Sequence, residues 1–219
     1  RYAGVYWGDQ RTALIYESWW TNRRTRVWHY NPSQADQPAR TLLDYSSEDR
    51  YHHPGSPMLA VTALGTNILQ FARKGKAILM RGEGASPKGN MPFLDELELA
   101  SGKTVRLWQC QAPYYEFVVD MSRDGQSVIT RRESVTEQPN YYLHRLKDRT
   151  NRPLTRFPNP TPQLLSVKKE LITYARADGV QLSATLYLPP GYTPAQGPLP
   201  MLMWAYPQEF KSADAAGQV

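Results

Sequence analysis

The sequence lacks several features by which classes of protein are usually recognised. Its 219 residues include one cysteine, Cys110, so no disulfide can form within the chain, and we expect this residue to be buried in the core. No apolar run approaches the roughly 20 residues that a membrane-spanning helix needs. The pattern G-x-S-x-G, which presents a catalytic serine at a turn between a strand and a helix, is absent as well. The chain therefore contains no internal disulfide framework, no membrane helix and no serine nucleophile of that type.

Long stretches with helical periodicity are also scarce, whereas residues typical of strands and turns are plentiful. Eighteen prolines, fourteen tyrosines and six tryptophans are distributed along the chain. Aromatic residues favour strands and prolines favour turns, so this composition predicts many short strands. The hydrophobic content of 41% is enough for a buried core. We therefore predict a mainly β protein.

The charge balance is basic, with 26 lysines and arginines against 20 aspartates and glutamates. The excess is spread along the chain, whereas a nucleic-acid interface would concentrate it in a stripe with stacking aromatics. The nearest approach to such a stripe is formed by Arg23, Arg24, Arg26 and Trp28. We interpret this segment as a solvated strand face and predict no nucleic-acid partner.

A pattern of short strands and turns occurs three times. The predicted strands cover 13–18, 27–30 and 41–43 in the first set, 77–80, 93–99 and 105–108 in the second, and 117–120, 127–131, 141–146 and 154–157 in the third. Residues 122–125, with their Asp-Gly dipeptide, are predicted to form a hairpin turn. Recurrent sets of about four antiparallel strands are typical of the blades of a β-propeller. A β-sandwich built from the same hairpins is the alternative.

Alternating prolines in 157–162 mark the predicted domain boundary, because they cannot continue a sheet ladder. Residues 1–163 are predicted to form the C-terminal part of a propeller, and 164–219 the beginning of a second domain. In the second part, strands at 170–175 and 181–188 are joined by an Asp-Gly turn. The apolar run 201–204 is suited to a strand that is buried on both faces of a larger sheet.

Four segments resemble the prolyl oligopeptidase family of serine peptidases, most closely its glutamyl endopeptidase branch. They are DGVQLSATLYLPPGY (178–192), GPLPMLMWAYPQEFKSADAAGQV (197–219), SSEDRYHHPGSPML (46–59) and GEGASPKGNMPFLDELEL (82–99). The first two are similar to the opening of the family's α/β-hydrolase domain, and the other two are similar to its propeller loops. The likeness extends over most of the chain.

The resemblance implies that the chain is a fragment, namely the last propeller blades and the start of the hydrolase domain, truncated before the nucleophile. The whole protein would hydrolyse peptide bonds by acyl transfer, with glutamate as the branch's cleavage site, and the propeller would gate substrate access. The fragment alone should be inactive. The expected partners are peptide substrates and the rest of its own chain, with no membrane and no cofactor. The expected compartment is the cytoplasm or periplasm in a bacterium, and an organelle in a plant.

Two site residues follow from the resemblance. Tyr206 matches the family tyrosine whose hydroxyl donates a hydrogen bond to the oxyanion of the tetrahedral intermediate. Phe210 matches an aromatic residue near the substrate, although 207–209, Pro-Gln-Glu, replace the glycine-rich turn of the proline-specific members. From the residues alone, packing of Tyr206 beside Trp204 and Pro207 is the preferred interpretation, and the resemblance reverses that preference. No triad residue is assigned, because all four histidines precede the hydrolase segment; they are His29, His52, His53 and His144.

Other signals have simpler interpretations. His52 and His53 are adjacent, so their side chains point apart, and we predict no metal site there. The glycine-rich stretch 82–89 is interpreted as a blade turn. The aromatic pairs Trp19-Trp20 and Tyr114-Tyr115 are expected to pack against neighbouring strands. A functional alternative to the peptidase is a propeller that serves as a protein-interaction module, or a catalytically inactive relative.

Overall fold

The computed structural model describes residues 1–122, 124–206 and 208–218. It consists almost entirely of antiparallel strands, which confirms the prediction of a mainly β protein. Three sheets follow one another along the chain, and a hairpin comes after them. In the described residues, no helix is long and apolar enough to cross a membrane.

The first sheet contains four strands in sequence order: β1 (Tyr2–Asp9), β2 (Thr12–Trp19), β3 (Arg24–Tyr30) and β4 (Arg40–Ser46). Strands β2, β3 and β4 contain the predicted strands. Strand β1 was not predicted, because two glycines interrupt its apolar pattern. Gly8 has a packing reason, since a Cβ atom there would lie 2.6 Å from the ring of Phe71. The glycine therefore allows β1 to approach the second sheet.

The second sheet is ordered β11-β10-β9-β5, and β8 also pairs with β9. Its strands are β5 (Ser56–Pro57), β8 (Phe71–Ala72), β9 (Ala77–Gly82), β10 (Phe93–Glu98) and β11 (Thr104–Gln109), while β6 (Leu59–Val61) and β7 (Asn67–Leu69) form a separate hairpin. The three longer strands were predicted. Strands of two or three residues carry too little pattern to be recognised in a sequence.

The third sheet is ordered β12 (Tyr115–Met121), β13 (Ser127–Glu133), β14 (Asn140–Arg145) and β15 (Asn151–Pro153). The predicted last strand at 154–157 is wrong, because the pairing strand lies just before it. The backbone amides of Leu154 and Thr155 both donate to the carbonyl of Tyr141, so the regular ladder ends there. Residue Arg123 of the predicted hairpin turn lies outside the described residues.

After the third sheet, β16 (Lys168–Ala175) and β17 (Gln181–Leu188) form the predicted hairpin without a register shift. The predicted strand at 201–204 is wrong, since these residues form no strand and their side chains are 77–95% exposed. In the described part of the chain, β16 and β17 pair only with each other, so residues 201–204 have no neighbouring strand with which to form ladder hydrogen bonds. A short helix, α1 (Ala213–Ala216), follows.

The core consists of two clusters, one on each face of the second sheet. Successive residues of β9 belong to different clusters, because Ile78 and Met80 lie in one cluster and Leu79 lies in the other. The first cluster includes Leu14 and Val27 of the first sheet, and the second includes Val118 and Val128 of the third. Sheets stacked in series with a core between each pair are blades of a propeller, not the two layers of a sandwich.

Candidate active site

Two loops of the first sheet lie side by side. They are the turn between β2 and β3, which contains Arg23, and the segment that begins at Ser47 after β4. The backbone amide of Ser47 donates to the carbonyl of Arg23 at 2.7 Å, and its hydroxyl donates to the same carbonyl at 3.1 Å. Arg23 has a positive φ of 55°, which is uncommon for a residue other than glycine. The loops thus hold Arg23 in a left-handed conformation.

The side chain of Arg23 is buried beneath these loops. It is 5% exposed, and its Nε donates to Oε1 of Glu48 at 2.9 Å. Glu48 is itself 8% exposed, so the two opposite charges are removed from water together. The guanidinium carbon lies 3.5 Å from the ring centroid of Trp20. Trp20 was expected to pack into a sheet interface, but it is 71% exposed and covers the arginine instead.

The chain that follows Tyr206 binds to this buried pair. The backbone amide of Lys211 donates to Oε1 of Glu48 at 2.7 Å, and Nη2 of Arg23 donates to the carbonyl of Glu209 at 3.4 Å. The carboxylate of Glu209 lies 3.5 Å from the same nitrogen and also contacts the ammonium group of Lys211. Residues 209–211 are therefore fixed to the first blade.

A second attachment lies at Gln218. Its side-chain oxygen accepts hydrogen bonds from the backbone amides of Arg50 at 2.7 Å and Tyr51 at 3.3 Å, and its Nε2 donates to Asp49 at 2.9 Å. The side-chain amide of Gln218 thus binds three successive residues, 49–51, of the turn that follows Glu48. Both attachments join residues more than 160 positions apart in the sequence.

The carboxylates at these attachments are stabilised in their ionised form. The hydrogen bond from Gln218, followed by that from His52, lowers the pKa of Asp49. The hydrogen bond from Lys211 lowers the pKa of Glu209, and the charge of Arg23 adds to the effect. Both groups are consequently anions at neutral pH, and the attachments are charge-assisted.

Tyr206 itself is open to solvent. Its side chain is 82% exposed, and its ring stacks on Trp204 with a centroid distance of 6.5 Å and an interplanar angle of 28°. The contact with Trp204 is present, but it lies on the surface and not in a core. Phe210 is half-buried. Pro207 lies outside the described residues, and the roles of Tyr206 and Phe210 remain predictions.

The histidines occupy structural positions. His52 is 2.8 Å from a carboxylate oxygen of Asp49, and His53 accepts a hydrogen bond from the amide of Gly55. His144 is buried against Glu116 at 2.7 Å. Across the described ranges, no three histidine, cysteine, aspartate or glutamate side chains cluster as metal ligands. Cys110 is buried as predicted, and this burial raises the pKa of its thiol.

A cavity of about 530 Å³ lies next to the segment that Gln218 attaches. Arg50 and His53 of that segment line it, together with Arg81, Phe93 and Phe117. Nη1 of Arg81 donates hydrogen bonds to the carbonyls of Val118 and Val119. The lining of the cavity therefore combines aromatic rings with the cationic residue Arg50. Sequence patterns could not reveal it, because its lining residues come from four separate stretches of chain: 50–56, 81–85, residue 93 and 117–118.

Comparisons with known proteins agree with the resemblance described above. The chain is 49% identical over its whole length to a probable chloroplastic glutamyl endopeptidase of Oryza sativa subsp. japonica, and 47% identical to one of Arabidopsis thaliana. It spans about a quarter of the length of each, 25% and 24% respectively. The likeness to the glutamyl endopeptidase branch is thus confirmed for this part of the protein. No family model matches the chain.

A solved structure supports the fold. A Bacteroides ovatus protein named "putative dipeptidyl aminopeptidase IV" superposes with a TM-score of 0.52, and the match covers 89% of this chain and 35% of that protein. The two sequences are 16% identical, so this likeness concerns the fold alone.

Proposed function

We propose that this chain is part of a serine endopeptidase of the prolyl oligopeptidase family. Residues 1–163 would be propeller blades that gate substrate access, and 164–219 would begin the α/β-hydrolase domain. The observation that carries the proposal is the 49% identity over the whole chain to a protein named glutamyl endopeptidase. The attachment of the segment after Tyr206 to the blade loops supports it, since an active site between the two domains requires both to contribute.

The proposed chemistry is acyl transfer. A serine attacks the peptide carbonyl, a histidine takes its proton and later gives it to the leaving amine, and an aspartate orients the histidine. These three residues would belong to the rest of the protein. The Tyr206 hydroxyl would donate a hydrogen bond to the oxyanion of the tetrahedral intermediate. Removal of one such donor costs about 2.7–4 kcal/mol of transition-state stabilisation in comparable sites.

Cleavage after glutamate requires a cation near the substrate side chain, because an unpaired buried carboxylate is strongly disfavoured. The cavity beside the attached segment is lined by an arginine, Arg50, together with the rings of Phe93 and Phe117. The rings would pack on the methylene groups of a glutamate, and the guanidinium would bind its carboxylate. We therefore propose an acidic side chain as the ligand of this cavity.

The proposal is tested with the full-length protein and a fluorophosphonate probe, which reacts with activated serines. Labelling that a peptide substrate suppresses would support the peptidase. A full-length protein that takes no label and cleaves no peptide would contradict it and favour the interaction module. A heat-denatured sample serves as the control for nonspecific labelling.

A further inference from the structure

We propose that the buried ion pair of Arg23 and Glu48 positions Tyr206, by fixing the segment that follows the tyrosine to the first blade. Arg23 and Glu48 would then be positioning residues of the peptidase, although they lie on the propeller and more than 150 positions before Tyr206 in the sequence. The inference rests on the proposed function in so far as Tyr206 is the oxyanion donor.

Arg23 is held more firmly than a surface ion pair requires. Its carbonyl accepts two hydrogen bonds from Ser47, its Nε donates to Glu48, and Trp20 covers its guanidinium group. Left-handed backbone at a residue other than glycine persists where the surroundings over-determine it, and such residues cluster at functional sites. Arg23 combines this conformation with burial and a fixed side chain.

Stability alone does not account for a buried arginine at this position. Its Nη1 is buried and has no hydrogen-bond partner in the described part of the chain. An apolar side chain of similar volume would avoid both the unpaired donor and the desolvation of two charges, and such replacements are often neutral or stabilising. An apolar residue could not donate a hydrogen bond to the Glu209 carbonyl. It also could not hold the carboxylate of Glu48, which accepts the hydrogen bond from the Lys211 amide.

The bonds to the segment are bonds to its backbone. Oε1 of Glu48 accepts from Arg23 Nε and also from the amide nitrogen of Lys211, and Arg23 Nη2 reaches the carbonyl of Glu209. Main-chain bonds fix the path of the chain regardless of its side chains. Tyr206 precedes Glu209 by three residues, and an extended chain spans at most about 3.6 Å per residue, so the tyrosine must lie within roughly 11 Å of the fixed point.

The far end of the segment is fixed as well. Gln218 binds Asp49 and the amides of Arg50 and Tyr51, while Ser212 caps α1 by accepting a hydrogen bond from the amide of Ala215. The helix is thus held between two attachments, at Lys211 and at Gln218. The first blade consequently determines where the segment after Tyr206 runs, and a change in the Arg23–Glu48 pair would be transmitted to the tyrosine.

The test uses kinetics of the full-length enzyme with four variants. Glu48→Ala removes the acceptor of the Lys211 amide, whereas Glu48→Gln keeps an oxygen in that place. Asp44→Ala is the matched control, because Asp44 pairs with Arg24 and Arg26 on the same blade and has no hydrogen bond to the described residues 208–218. Tyr206→Phe removes the hydroxyl that the pair is proposed to position.

We expect Glu48→Ala to lower kcat by about 10- to 100-fold, the size expected when a reacting group is misplaced by about 1 Å, with KM changed less than threefold. Glu48→Gln should retain most of kcat, and Asp44→Ala all of it. Because the pair acts through the tyrosine, Glu48→Ala should have little further effect in a Tyr206→Phe background. Additive losses in the double variant would overturn the inference, as would equal kcat values for Glu48→Ala and Asp44→Ala.

Hydrogen–deuterium exchange of peptides from 208–218 separates this inference from the proposed function. Faster exchange in Glu48→Ala together with its loss of kcat supports positioning, and unchanged exchange overturns it. If Tyr206→Phe retains full kcat, the proposed oxyanion role fails and the kinetic experiment identifies that failure directly. If Glu48→Ala does not fold, Gln218→Ala replaces it, because this variant removes the second attachment without leaving a buried charge. The kcat losses of Gln218→Ala and Tyr206→Phe should then be non-additive in the double variant. Additive losses in that double variant would overturn the inference.

Discussion

The carboxylate of Glu48 and the backbone amide of Lys211, 163 residues apart in the sequence, are joined by a hydrogen bond of 2.7 Å. The same carboxylate oxygen receives the buried guanidinium of Arg23. One side chain on a blade loop therefore connects the propeller part of the chain to the segment that follows Tyr206. The consequences of this connection can be tested one residue at a time.

Replacement of Tyr206 by phenylalanine should abolish most activity without loss of stability. The hydroxyl is proposed to stabilise the oxyanion, so we expect kcat to fall by about 100- to 1000-fold. The side chain is 82% exposed, and surface substitutions usually change the free energy of unfolding by less than about 0.5 kcal/mol. Tyr187→Phe is the control, since Tyr187 is 60% exposed on β17. Equal kcat values for the two variants would refute the oxyanion role.

Replacement of Arg50 by glutamine should change specificity more than it changes turnover. Loss of a charge-assisted hydrogen bond of about 1.5–3 kcal/mol predicts a fall of about 10- to 150-fold in kcat/KM for a peptide cleaved after glutamate. The corresponding peptide with glutamine should be affected less than threefold. Arg24→Gln is the control, because Arg24 pairs with Asp44 and does not line the cavity. An equal effect on both peptides would place the specificity cation elsewhere.

The third blade contains a buried polar network whose removal should affect stability alone. Oε1 of Glu116 accepts a hydrogen bond from Thr130 at 2.5 Å and lies 2.7 Å from Nε2 of His144. Glu116→Ala leaves these groups without their partner, at a cost of about 1–3 kcal/mol. Thermal unfolding should show a lower midpoint for this variant, with unchanged kcat for the folded enzyme. A midpoint equal to that of the unmodified protein would show that the network contributes nothing.

The attachment of residues 209–218 should weaken in acid. Asp49 and Glu209 have pKa values below those of free carboxyl groups, so they add stability to the attached state above the ordinary carboxyl pKa. This contribution is lost as the pH falls through their lowered pKa values, because protonation removes the charge. Hydrogen–deuterium exchange of this segment, corrected for intrinsic rates, should accelerate below about pH 4. Gln218→Ala removes the bond between Asp49 and the segment, so the remaining pH dependence should come from Glu209 alone. A pH profile unchanged by this substitution would contradict the assignment to Asp49.

The regular parts of the fold are readable from the sequence because local patterns determine them. The apolar run of β9 supplies both core clusters, and the Asp178-Gly179 dipeptide marks the turn of the hairpin that follows the blades. Strand β1 was missed because its glycines disrupt the alternation. The apolar run at 201–204 was misassigned, because a strand requires a neighbour as well as a pattern.

The candidate site was only partly predictable. The roles that the resemblance implies for Tyr206 and Phe210 stay predictions. Arg23 was interpreted as part of a solvated strand face, although it is 5% exposed and paired with Glu48. Residues that meet across more than 160 positions leave no periodic signal in a single sequence. The place of Arg23 three residues after Trp20, which is 71% exposed, gave no indication that a guanidinium group lies beneath that ring.

The most direct test of the peptidase assignment is a map of the bonds that the full-length protein cleaves. A mixture of peptides of varied sequence is incubated with the purified protein, and the products are identified by mass spectrometry. The account predicts cleavage after glutamate by the unmodified protein and a loss of about 100-fold or more in rate for Tyr206→Phe. Intact peptides after prolonged incubation with a folded full-length protein would contradict it.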